Sequence, residues 1–146
     1  MPRFTYKGKY KPTHAAKYVG NVKNIVYRSM WERRFMKYCD ENPDVLSWSS
    51  EELVIPYLSP IDRKLHRYFP DFLIKVKRGE KTQTIVIEVK PKKETKPPKK
   101  KKNITPRYLT EMKTYSVNAA KWKAAEAYCF DRRWEFKIIT EDHVGR

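Results

Sequence analysis

The stretch RYFPDFLIKVKRGEKTQTIVIEVK, residues 67–90, decides how this chain is read. It divides into a strand from about Arg67 to Lys77 and a second from Thr82 to Lys90, with Arg78-Gly79-Glu80-Lys81 between them. Gly79 stands where a hairpin connection wants a residue free to take positive φ. Side chains alternate along a strand, so Ile85, Ile87 and Val89 share one face while Val86, Glu88 and Lys90 share the other. Asp71 follows Pro70 in the first strand, where aspartate is a poor strand former. Glu88 follows Ile85-Val86-Ile87, and a carboxylate buried there is costly without a cation.

Upstream, Leu53-Val54-Ile55-Pro56-Tyr57-Leu58 predicts another strand, and Pro56 puts it at an edge or a bulge because proline cannot donate to a ladder. Ser59-Pro60-Ile61-Asp62-Arg63 is a turn. From Arg28 to Asp40, Met30, Trp31, Phe35, Met36 and Cys39 recur at three- and four-residue spacing, which predicts a helix with one buried face, ended by Asn42-Pro43. Ser29-Met30-Trp31-Glu32 reads as a capping box, Ser29 at the N-cap and Glu32 reaching back to its backbone N–H. Downstream, residues 91–106 are rich in lysine and proline and predict a loop. A helix from Pro106 to Arg132 follows, with Leu109, Met112, Val117, Ala120, Ala124, Ala127 and Tyr128 as its buried stripe, and then a strand from Trp134 to Thr140. No internal repeat is visible. The order of helix, three strands, helix, strand predicts an α/β fold with the sheet flanked by helices.

A chain of 146 residues can bury a core as one domain, expected over residues 25–146, behind a basic arm at 1–24. That arm carries Arg3, Lys7, Lys9, Lys11, Lys17 and Lys23 without an acid, interleaved with Phe4, Tyr6, Tyr10 and Tyr18. Cations for phosphates and flat rings for bases suit nucleic acid, and packing of the tyrosines on the domain explains them equally well. Lys and Arg number 33 against 17 Asp and Glu, a net charge of +16 that a polyanion would screen. No apolar run approaches the roughly 20 residues of a spanning helix, so no membrane partner is expected. The opening Met1-Pro2-Arg3-Phe4-Thr5-Tyr6-Lys7 lacks the apolar stretch of a signal peptide, and a cytoplasmic setting is expected. Cys39 and Cys129 read as buried free thiols, and His14, His66 and His143 make no zinc spacing.

Two acids on adjacent strands, with a lysine two residues beyond the second, can converge at one edge of a sheet. Carboxylates there suit Mg²⁺, a hard cation that prefers oxygen ligands and keeps several waters. Phosphodiester hydrolysis needs an oriented water, an in-line approach to phosphorus and positive charge on the developing oxyanion. In this reading Asp71 and Glu88 are metal ligands, the Val89 backbone carbonyl adds an oxygen, and Lys90 meets the attacking water and the phosphate. Glu32 is a further acidic ligand, direct or through water, although the capping box also explains it completely.

Pro70-Asp71 followed by Glu88-Val89-Lys90, in that order of elements, resembles the PD-(D/E)xK nuclease superfamily, whose motif falls on Pro70, Asp71, Glu88 and Lys90 and whose first-helix acid falls on Glu32. Tyr68-Phe69-Pro70-Asp71-Phe72-Leu73 and Ile87-Glu88-Val89-Lys90-Pro91 are similar to the transposon-end endonuclease branch. From Tyr6-Lys7-Gly8-Lys9-Tyr10 to Asn118-Ala119-Ala120-Lys121-Trp122 the chain also resembles the head completion family of T4-type tailed phages. The resemblance implies a restriction-endonuclease-like core, Glu32, Asp71, Glu88 and Lys90 as catalytic residues, and Mg²⁺ as cofactor with Mn²⁺ as a substitute. It also implies double-stranded DNA as substrate, phage portal or neck proteins as partners, and a place in the host cytoplasm or the virion.

Further contacts to DNA are expected from Lys7, Lys9 and Lys11 in the arm, and from Arg63, Lys64 and Arg67 on the approach to Asp71. Lys92, Lys93, Lys99, Lys100, Lys101 and Lys102 sit beside Lys90 and would grip backbone without reading sequence; the plainer account is a solvated loop. Asn118 and Lys121 share a helical face with Tyr115 and either reach phosphate or line a polar solvent face. Three functions are open at this level: an Mg²⁺-dependent endonuclease trimming packaged DNA, a capsid-neck protein keeping the fold as a DNA clamp, and, more distantly, a basic RNA-binding module without the aromatic motifs of the common RNA folds.

Overall fold

Residues 72–89 form the expected antiparallel hairpin, but the chain breaks once more just before it, after Tyr68. The structure, a computed structural model, describes residues 7–144, so Arg3, Phe4 and Tyr6 lie outside the described residues. In chain order its elements are β1 (Gly8–Lys9), β2 (Val26–Tyr27), α1 (Met30–Glu41), β3 (Val45–Ser50), β4 (Ile55–Leu58), β5 (Leu65–Tyr68), β6 (Phe72–Arg78), β7 (Lys81–Val89), α2 (Pro106–Arg132), β8 (Glu135–Ile139) and α3 (Glu141–Val144). Single 3₁₀ turns lie at Ala15–Lys17 and Lys92–Thr95.

The central sheet runs β3-β6-β7-β8, antiparallel except for the parallel pair β7 and β8. This is a mixed sheet flanked by helices, the restriction-endonuclease-like arrangement, with the element order helix, three strands, helix, strand. The first of those three strands is β3, residues 45–50, and not the expected segment 53–58. Val45-Leu46-Ser47-Trp48-Ser49-Ser50 carries three serines and hides its apolar signal, and Trp48 is nevertheless almost fully buried. Residues 55–58 instead pair with residues 65–68 in a separate two-stranded ribbon, where Pro56 lies opposite Arg67. What reads as one strand from Arg67 to Lys77 is therefore two, split at Phe69-Pro70-Asp71, because Pro70 cannot donate to a ladder and the chain changes sheets there.

In the β6–β7 hairpin Arg78 pairs with Lys81, leaving Gly79 and Glu80 as the loop. Gly79 takes φ +63°, the left-handed value that a two-residue hairpin asks of its first central residue. The face bearing Ile85, Ile87 and Val89 packs on Trp31, Phe35, Met36 and Cys39 of α1. Ile55, Tyr57 and Tyr68 pack with Trp122 and Ala125 of α2 in a second core, against which Phe136 and Ile138 of β8 also rest. The α2 stripe differs from expectation: Trp122, Ala125 and Cys129 are buried, while Leu109 and Ala127 are exposed. Thr105 caps α2 by accepting the Tyr108 N–H at 3.1 Å, and Pro106 occupies the first turn.

The N-terminal segment is packed on the domain from Gly8 onward. β1 pairs with β2, and Tyr10 and Tyr18 set their rings edge-on to Trp48. The fully buried Asp40 of α1 accepts hydrogen bonds from the Tyr10 hydroxyl (2.8 Å) and the Thr13 and His14 N–H groups (2.7 and 2.8 Å). Cys39 and Cys129 are buried free thiols. Among the described residues no helix is long and apolar enough to cross a membrane.

Candidate active site

Asp71 and Glu88 meet at the end of the β6–β7 ladder. Phe72 pairs with Ile87, so the residue before Phe72 and the residue after Ile87 are neighbours across the strands. Asp71 fixes this corner by accepting the Val89 N–H through Oδ2 at 2.7 Å. Glu88 is buried and accepts the Tyr68 hydroxyl through Oε1 at 2.6 Å, while its Oε2 stands 3.9 Å from Lys90 Nζ. The break at Phe69-Pro70 serves this geometry, since it lets Tyr68 end the ribbon and Asp71 begin the sheet within one short turn.

Electrostatically the corner gathers acids, with Glu88 buried and Asp71 and Glu32 half-buried. Burial raises Asp71 well above the ordinary carboxylate range, and the negative charges of Glu88 and Glu32 push it further in the same direction. Burial also raises Glu88, against the downward pull of the Tyr68 hydroxyl, Lys90 and Lys121. The Tyr68 hydroxyl is held firmly protonated by its own burial and by Glu88.

Glu32 lies close enough to bear on Asp71, and it is anchored as part of the α1 cap. Ser29 Oγ accepts the Glu32 N–H at 3.1 Å, as the capping box predicts. The return contact goes one residue further than expected, to the Arg28 N–H at 3.3 Å, with the Ser29 hydroxyl at 3.4 Å from the other oxygen. Burial raises the Glu32 carboxyl, as does nearby Glu51. Arg28 forms an ion pair with Glu51, whose backbone N–H donates to the Asp71 carbonyl at 3.2 Å.

Three participants escaped the sequence reading. Glu51 comes to the corner from just beyond β3, at φ +56°, and Arg28 from the short link between β2 and α1. Tyr68 lay in a quoted segment but only the register of the β4–β5 ribbon reveals that it serves Glu88. Lys121 of α2, already a candidate from the sequence, stands over the rings of Tyr57 and Tyr68, at 5.7 and 5.6 Å, bringing a second ammonium to the Glu88 side.

The remaining basic candidates spread outward from the corner. Lys7, Lys9 and Lys11 are exposed along the N-terminal segment, and Arg63, Lys64 and Arg67 are exposed on the β4–β5 ribbon. Lys92 is engaged elsewhere, since its ammonium pairs with Asp142 at 3.1 Å and its N–H donates to Glu141. Lys93 and Lys99 to Lys102 are exposed on the loop leaving β7. Asn118 is buried instead of lying on a solvent face.

Among the described residues no group of three or more His, Cys, Asp or Glu side chains closes into an all-protein metal cage. Asp71 and Glu88 bring two carboxylates to the corner, a partial oxygen set. That fits Mg²⁺, which uses one or two carboxylates and leaves the other positions to water and substrate phosphate.

The family model described as TnsA-like endonuclease N terminal matches residues 42–141, which includes Asp71, Glu88 and Lys90. The chain belongs to the TnsA-like endonuclease family. The match runs from the start of β3 through β8, and it leaves α1 with Glu32 outside. The chain is also 44% identical over 141 residues to a protein of Enterobacteria phage T4 named head completion nuclease, covering 94% of this chain and 92% of that one.

Proposed function

We propose that this chain is an Mg²⁺-dependent endonuclease that hydrolyses phosphodiester bonds in double-stranded DNA and acts in phage head completion, trimming DNA after packaging. The observation that carries the reading is the pairing of half-buried Asp71 with buried Glu88, two carboxylates held at adjacent strand ends with the Lys90 ammonium 3.9 Å from Glu88. Burying two acids together is unfavourable unless a cation joins them.

Asp71, Glu88 and the Val89 carbonyl would hold the metal, with Glu32 as an outer acid and Mn²⁺ able to replace Mg²⁺ on the same oxygens. When bound, the ion supplies Lewis acidity toward a phosphoryl oxygen and lowers the pKa of water. Lys90 orients the attacking water and carries part of the charge that develops on the scissile phosphate. Tyr68 fixes Glu88 in place through its 2.6 Å hydrogen bond to Oε1. Lys121 offers phosphate a second cation, and Arg63, Lys64 and Arg67 with the lysines of 93–102 extend the grip along the backbone. The setting that follows from this role is the host cytoplasm and the virion, with portal or neck proteins as neighbours.

The test is purified protein with plasmid DNA and Mg²⁺, comparing wild type with Asp71→Ala. Cleavage by wild type alone is expected, and cleavage that survives Asp71→Ala would sink the assignment. Intact DNA binding without cleavage in any divalent metal would favour a structural clamp at the capsid neck.

A further inference from the structure

Beyond the catalytic corner, a cavity of about 580 Å³ lies between the loop that continues β7 and the N-terminal half of α2. Its walls include Pro97 and Pro98 from the loop and Thr114, Tyr115 and Asn118 from the helix. Asn118 is the unexpected member. It is 8% exposed, and its side-chain amide has no hydrogen-bond partner among the described residues. The amide is not among the enclosed polar atoms without partners, which among the described residues are Trp48 Nε1 and Trp122 Nε1, so it opens onto the cavity it lines and offers a ligand there both a donor and an acceptor.

The remaining surroundings narrow that ligand. Tyr115 presents a ring beside the amide and is braced edge-on by Trp122, with centroids 6.4 Å apart. Lys93, Lys96 and Lys99 stand on the rim with Glu94 and Glu111, and Arg107 pairs with Glu111 at 3.2 Å. A flat wall, an amide and cationic rim groups match a nucleobase with its phosphate better than they match an acidic peptide, which would lack a use for the ring. Position points the same way. Asn118 is one helical turn from Lys121, which reaches toward Glu88, and Lys93 is three residues beyond Lys90. The cavity therefore adjoins the corner along the path a DNA strand would take.

We propose that this cavity binds one unpaired nucleotide of the DNA substrate, its base against Tyr115 and its polar edge on Asn118, so that the enzyme favours ends or junctions with a single-stranded nucleotide. This rests on the endonuclease reading and specifies its substrate class. The test is equilibrium binding in EDTA, at fixed salt, of two duplexes of equal length, one blunt and one with a short unpaired overhang carrying 2-aminopurine. The overhang duplex should bind roughly tenfold more tightly, in line with the stacking of one base on an aromatic side chain, with its fluorescence quenched. Tyr115→Leu, which keeps apolar packing on Trp122, should abolish both effects and leave blunt-duplex affinity unchanged. Thr114→Met, which narrows the cavity from an exposed position, should do the same should the first variant misfold. Equal affinity for the two duplexes, unquenched fluorescence, or a preference that survives both substitutions would overturn the proposal. Plasmid cleavage with no overhang preference removes the nucleotide pocket alone, whereas absence of cleavage in every metal removes the nuclease reading and leaves the binding comparison intact.

Discussion

Asp71 costs the folded protein stability when no cation is bound. Its folded pKa is raised by burial and by Glu88, so the favourable contribution is fully present only below the unfolded value of about 3.9 and is lost as pH rises through the folded one. At neutral pH the charged pair is therefore a liability, and Asp71→Asn should raise the melting temperature measured in EDTA by a few degrees. The same substitution should erase the rise that Mg²⁺ produces in wild type. A variant that melts lower than wild type in EDTA would contradict this account. These residues were legible because strand alternation puts Glu88 and Lys90 on one face whatever the rest of the fold does. Tyr68 and Glu51 were not, since a hydrogen-bond partner from another ribbon or strand depends on register, which local pattern does not carry.

Among the elements, the segment from Tyr10 to Tyr18 is fastened to α1 by Asp40. Burial pushes the Asp40 carboxyl up, but the Thr13 and His14 N–H groups and the Tyr10 hydroxyl outweigh it and leave it below its ordinary value. The depressed value means that this contribution is present above pH about 3.9 and is lost as pH falls through the folded pKa. Asp40→Ala strands three donors and should cost roughly 3 kcal/mol, a fall in melting temperature of about 6–12 °C, with a shallower acid limb in a pH series of melts. Melting within a degree of wild type would show that the strap contributes little. Both long helices could be read, α1 from its spacing and the Ser29 cap, and α2 in its extent although not in its buried stripe. The strand β3 could not, because Ser47, Ser49 and Ser50 break its apolar pattern and only burial of Trp48 against Tyr10 and Tyr18 reveals it. The ribbon of β4 and β5 was mistaken for part of the sheet because Pro70 marks a change of partner as well as a turn.

For the whole molecule, a net charge of +16 and the exposed Lys93, Lys99, Lys100, Lys101 and Lys102 beyond β7 suit a polyanion, and on the proposed function that polyanion is DNA. Each phosphate neutralised lowers the slope of log K against log salt by about 0.9. Lys100→Ala and Lys101→Ala together should flatten that slope by up to about 2, without changing preference among duplex sequences. A slope unchanged in the double variant would remove the loop from the interface. The most direct test of the central claim, that Asp71, Glu88 and Lys90 form a nuclease centre, is the single-turnover cleavage rate of duplex DNA in Mg²⁺ for wild type and Lys90→Ala, with DNA affinity measured in parallel. A fall of roughly a hundredfold or more in rate with affinity nearly unchanged is predicted, as for loss of one group that stabilises transition-state charge. Equal rates, or a fall no larger than the loss of affinity, would contradict it.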